Sequence, residues 1–179
     1  MTEMFDLTCR TNSEALDQSL ESFQASLADL SPALREIADD FREMVAEQFA
    51  TQGRAGGTPW AELASSTLRR RRGAGAGILY LTGALFRSLV EPGARAHVEE
   101  IGGASLTLGS SLPYALFHQT GAGRGFGQTA LGAPGRRGDL PMRPLIVISG
   151  ERSDAWVEIV RQHLEEKLLL GEKELGTAV

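Results

Sequence analysis

The side chains best suited to moving a proton near neutral pH are three histidines, His97, His118 and His163. Tyr114 and His118 stand four residues apart, so on a helix they share one face. His118 could then act as a general base. A base needs a nucleophile to deprotonate or a carboxylate to orient it, and no Ser, Cys, Asp or Glu stands beside His118 in a recognised pattern. The expectation is a buried histidine that donates to a carbonyl, with Gln119 reaching a neighbouring subunit. His97 and His163 have no ligand spacing. Cys9 is the only cysteine, which rules out an intrachain disulfide and a cysteine-based zinc site. No catalytic residue, metal or cofactor is expected.

Anion-binding chemistry is the second possibility. Gly121 to Gly127 is glycine-rich, but Phe126 stands where a dinucleotide-binding loop needs its third glycine, and no Gly-Lys-Ser/Thr follows. Arg137-Gly138-Asp139 spells an adhesion tripeptide, which in an arginine- and glycine-rich loop carries no information. Arg69 to Arg72 form a basic run that either touches DNA phosphates or is a solvated surface. Arg124, Arg136 and Arg137 sit in the glycine-rich loop with Asp139 as almost their only acidic company. Arg143 follows Pro141 and precedes Pro144, prolines that keep the backbone extended. A guanidinium on so stiff a segment suits a fixed, directional salt bridge, within the subunit or across an interface.

These residues must be held by a scaffold, and periodicity outlines it. Met4 to Cys9 alternates as a short edge strand. Thr11 and Glu14 have capping-box spacing, and Leu16, Leu20, Phe23, Leu27 and Leu30 continue as a helix. Ser31 as N-cap and Pro32 at the first helical position open a second helix. Leu34, Ile37, Phe41, Met44, Val45 and Phe49 draw its apolar stripe, and Gly53 ends it. Trp60 is predicted to be a buried anchor on the turn after Gly56-Gly57-Thr58-Pro59. Arg69 to Gly77 is predicted mobile. Thr82 should cap a short helix bearing Leu85, Phe86, Leu89 and Val90, with Gly83 allowing close backbone approach.

Residues 96–101 and 105–109 flank Gly102-Gly103, whose positive φ angles would make a tight hairpin. Leu145 to Ile148 reads as a buried strand. Ser153 should cap a last helix lined by Trp156, Ile159, Val160, His163 and Lys167, with roughly the last eight residues frayed. The fold class is therefore α+β: a small, mostly antiparallel sheet packed with an N-terminal helical hairpin and a C-terminal helix. Residues 1–179 are read as one domain with a long mobile loop at about 120–140.

Composition narrows the function. A hydrophobic fraction of 42% and mean hydropathy of −0.13 are those of a globular domain. A net charge of −5 argues against a dedicated nucleic-acid binder. The acidic start lacks the layout of a signal peptide, and no apolar run spans a bilayer, so a cytoplasm-like compartment is expected.

The order of landmarks then becomes specific. Gly57-Thr58-Pro59-Trp60-Ala61-Glu62-Leu63 is followed by Ile78-Leu79-Tyr80-Leu81-Thr82-Gly83 with Leu85 and Ser88. Next come Tyr114-Ala115 with His118-Gln119 and Gly121, and finally Pro141-Met142-Arg143-Pro144. In this order the segments resemble the virion-morphogenesis family of Mu-like phages, related to the tail-completion proteins of P2-like phages. The likeness covers nearly the whole chain, with two departures: the family's P-A-R-P-F-L-G is here Pro141 to Val147, and the loop before it is longer. The resemblance implies a structural protein of the phage neck, not an enzyme, joining a DNA-filled head to a tail. It further implies a ring of six or twelve copies that meets a portal-side adaptor, other neck proteins or the tail-tube end. The assembled location would be the virion, reached from the host cytoplasm. The alternative is an assembly factor touching packaged DNA through Arg69 to Arg72 and the loop arginines.

Overall fold

The apolar stripe from Leu34 to Phe49 forms one buried face of a long helix, and the rest of the protein is arranged around it. A computed structural model describes residues 17, 20, 21, 24, 29–71, 77–122 and 140–176, with side chains given as far as residue 169. Its elements are α1 (Ser31–Ala50), α2 (Ser65–Arg70), α3 (Ala84–Val90), β1 (His97–Ile101), β2 (Leu106–Ser110), α4 (Pro113–Thr120) and α5 (Gly150–Gly176). Asp17, Leu20, Glu21 and Gln24 are helical. The predicted edge strand at Met4 to Cys9 and the capping box at Thr11 lie outside the described residues, as do most of the first helix and residues 72–76. The class is α+β.

Phe41, Met44, Val45 and Phe49 of α1 meet Trp60, Leu85 and Leu89 of α3, and Leu145 in the core. Three aromatic contacts order it. Phe49 lies edge-on to Trp60 at 5.1 Å and to Phe86 at 5.4 Å, and Tyr80 tilts against Phe86 at 5.6 Å. Gly53 lets the chain reverse after α1: its φ is +92°, and a Cβ there would stand 2.5 Å from the Trp60 ring.

β1 and β2 form an antiparallel hairpin, with His97 opposite Ser110 and Ile101 opposite Leu106. Four residues connect the strands, and neither Gly102 nor Gly103 has a positive φ, contrary to the tight turn expected from the pair. A four-residue connection reverses the chain without left-handed residues. The Leu30 amide donates to Gly103 O at 2.6 Å and so docks the start of α1 on the turn. His97 is not isolated. Its Nδ1 lies 3.0 Å from Ser88 O and its Nε2 3.1 Å from Glu99 Oε2, while Arg42 Nη1 donates to that same carboxylate oxygen at 2.6 Å. The network ties α1, α3 and β1 together.

Three helix starts differ from expectation. Ser31 is already helical, and its amide is capped by the Asp29 carboxylate, whose pKa is lowered by the Ser31 hydrogen bonds. Gly83, in the left-handed conformation, is the N-cap of α3, while the Thr82 hydroxyl accepts the Ala84 N–H at 3.3 Å. At α5 the capping hydroxyl belongs to Ser149, which accepts the Arg152 N–H at 3.2 Å, and Ser153 lies inside the first turn. The helix runs on through Gly176, past the point where fraying was expected.

Leu145 to Ile148 does not form the buried strand that its composition predicts. Pro144 has no N–H to give, and the next peptide groups are satisfied by side chains instead of a ladder.

Candidate functional site

Pro144 O accepts two side-chain hydrogen bonds, from Gln48 Nε2 at 2.9 Å and Trp60 Nε1 at 2.8 Å. The Gln119 amide then clamps the next peptide groups. Its Oε1 accepts from Leu145 N at 2.7 Å and Ile146 N at 3.1 Å, and its Nε2 donates to Ile146 O at 2.9 Å. Gln119 thus serves its own chain, correcting the expectation that it reaches a neighbour. Trp60 is the buried anchor predicted, 4% exposed.

Arg143 is also only 4% exposed, and its guanidinium partners are carbonyls: Nε donates to Ala61 O at 2.9 Å and Nη2 to Glu62 O at 3.1 Å. Among the described residues these bonds stand where a salt bridge within the subunit was expected. Proline on one side and a clamped backbone on the other hold the side chain against the 61–62 turn, where two carbonyls already point inward. Burial, and secondarily the charge of Arg71, lower its pKa. The Arg143 amide donates to His118 O at 2.7 Å, fixing the segment to α4.

Arg143 and His118 border a cavity of about 840 Å³ between α2, the turn before α3, α4 and residues 140–143. Arg70, Arg71, Leu81 and Tyr114 complete its working surface. Among the described residues Glu62 is the one acidic residue along its wall, and the Arg143 hydrogen bond goes to its backbone. Tyr114 and His118 share the α4 face as predicted, with ring centroids 6.3 Å apart. The expected donation to a carbonyl is not seen at the buried His118 Nδ1, which has no hydrogen-bond partner among the described residues. Burial and then the nearby Arg143 charge push its pKa below the usual histidine value. The arrangement sets the Arg70, Arg71 and Arg143 charges in a concave setting.

Residues far apart in sequence converge here. Thr82, Gly83, Tyr114, His118 and Arg143 line the cavity, and Trp60 and Gln119 brace its floor from behind. The sequence pattern of the phage virion morphogenesis family matches residues 11–165. The chain belongs to that family. No curated protein and no solved structure matches it.

Membership in the virion morphogenesis family gives the protein a role in building the phage particle. Arg124, Arg136 and Arg137 lie outside the described residues, as do residues 123–139 of the loop expected to be mobile at about 120–140. The ends of that loop are joined by an antiparallel bridge, Ala122 N to Leu140 O at 3.0 Å and Leu140 N to Ala122 O at 2.7 Å. Among the described residues no group of three His, Cys, Asp or Glu could hold a metal ion. None of the described helices is long and apolar enough to cross a membrane.

Sequence reasoning missed the Gln119 clamp and the carbonyl partners of Arg143. The signal was there in part: two prolines around Arg143 remove ladder donors, so the neighbouring peptide groups needed side-chain partners. Nothing in the sequence pointed to Asp40, which receives Trp156 Nε1 at 2.6 Å and pairs with Arg152.

Proposed function

We propose that this protein is a structural component of the phage neck that forms or completes a ring joining the filled head to the tail. The observation that carries this reading is the family match over residues 11–165, with the family's motif residues gathered around one cavity. The reading makes the protein a structural part and not an enzyme. In support, Arg143 gives two of its donors to backbone carbonyls, and among the described residues the His118 Nδ1 has no hydrogen-bond partner. Six or twelve copies surround the DNA channel and bind a portal-side adaptor or the end of the tail tube. The free chain is a monomer or weak oligomer in the host cytoplasm, and the portal or tail end templates the ring.

Deleting the gene is expected to leave DNA-filled heads and separate tails in micrographs of the lysate. Normal infectious particles from the deletion strain would overturn the reading. The second reading, contact with packaged DNA, draws on the exposed Arg69 and Arg70 at the end of α2. It predicts binding of the purified chain to duplex DNA that weakens steeply with salt.

A further inference from the structure

The cavity and the outer end of α5 lie at opposite ends of α1. Pro144, beside the cavity, is bonded to Gln48 and Trp60 near the C-terminal end of α1. From there the chain runs back along that helix. Arg152 and Trp156 meet Asp40 midway, and His163 comes close enough to act on the charge of Asp29 at its start. The 13 residues from Leu164 to Gly176 therefore continue for about 20 Å past the start of α1, itself about 30 Å long. No subunit can bring this end of α5 into its own cavity.

The two features are complementary. Among the described residues the cavity is lined by Arg70, Arg71 and Arg143, with Glu62 as its acidic residue, and its large exposed apolar residues are Leu81 at 63% and Tyr114 at 42%. The outer part of α5 carries Glu165, paired with Arg161, then Glu166 and Lys167, with Leu168 and Leu169 exposed at 42% and 58%. Glu166 and Leu169 are three apart and share a face. A space of about 840 Å³ takes the side chains of one helical turn.

We propose that the outer turns of α5 of one copy dock in the cavity of the next copy, with Glu166 facing Arg70 and Leu169 entering between Leu81 and Tyr114. Donor and receptor lie on different surfaces, so the contact is head-to-tail, the kind that closes into a ring when its rotation fits. This proposal rests on the ring reading above and supplies its subunit contact.

The test uses particles assembled in infected cells, with Cys9→Ser removing the native thiol. A chain carrying both Thr67→Cys, in the cavity wall, and Leu169→Cys is treated with a short bis-maleimide. The expected product is a ladder of linked subunits that ends at the copy number of the ring, with no ladder from either cysteine alone. Arg70→Glu and Glu166→Arg should each reduce the ladder about tenfold, and the two together should restore it. A ring present in micrographs but no ladder overturns the docking and leaves the ring reading standing. Dimers from Leu169→Cys alone mean that α5 pairs with itself and overturn it too. If Arg70→Glu instead abolishes salt-sensitive binding to duplex DNA and no ladder forms, the cavity faces phosphates and the docking is wrong. Particles with no ring at the neck overturn both readings.

Discussion

The two ends of α1 use polar side chains in opposite ways. At its C-terminal end, Gln48, Trp60, Gln119 and Arg143 turn inward and give their donors to Pro144, Ile146, Ala61 and Glu62. Toward its N-terminal end, α5 keeps its charges outside, where Arg161 pairs with Glu158 and Glu165 one turn away on either side. Buried hydrogen bonds cost free energy when broken, whereas exposed ion pairs exchange with water at little loss. The first end is thus held rigidly by buried donors, and the second presents its charged side chains to solvent.

The largest effect expected from breaking this contrast is at Trp60. Trp60→Ala removes an almost fully buried indole and the donor to Pro144 O, and should lower unfolding free energy by about 3 to 5 kcal/mol in urea denaturation. An unchanged midpoint would mean that this end is no more fixed than the other. Gln119→Leu keeps the volume but leaves three backbone groups without partners. Since the site is half-buried and water can reach part of it, a loss of about 2 kcal/mol is expected.

A smaller, pH-dependent effect belongs to His118. Its folded pKa lies below the ordinary 6.5, so the unfolded chain takes up the proton first. Stability is therefore lost as pH falls from about 6.5 toward the folded value. The melting temperature should drop more between pH 7.5 and about 5.5 in the native chain than in His118→Asn. Equal drops would contradict the burial of that ring. The smallest effect is at Arg161. Its hydrogen bonds hold Glu158 down to about 2, yet both groups are exposed, so Arg161→Ala should leave the melting temperature at pH 7 within error.

The sequence was legible wherever one periodicity dominates. The α1 stripe, the hairpin and the shared face of Tyr114 and His118 all follow from spacing. Cap positions slipped by one residue at Ser31 and by four at Ser153, because several small polar residues compete near each helix start and geometry chooses among them. Leu145 to Ile148 misled because β-branched composition reports burial, not pairing. Leu145 is buried, but the partner of its backbone is a glutamine amide. The cavity itself was legible only as scattered motifs, since its walls come from α2, α4 and two connecting segments whose approach is set by the core.

The most direct test of the neck assignment is electron cryomicroscopy of the intact virion. The account predicts a ring of this chain at the head–tail junction, with the Trp60–Gln119–Arg143 end of each subunit against the α5 end of its neighbour. Finding the chain elsewhere in the particle, or missing from it, would contradict the account.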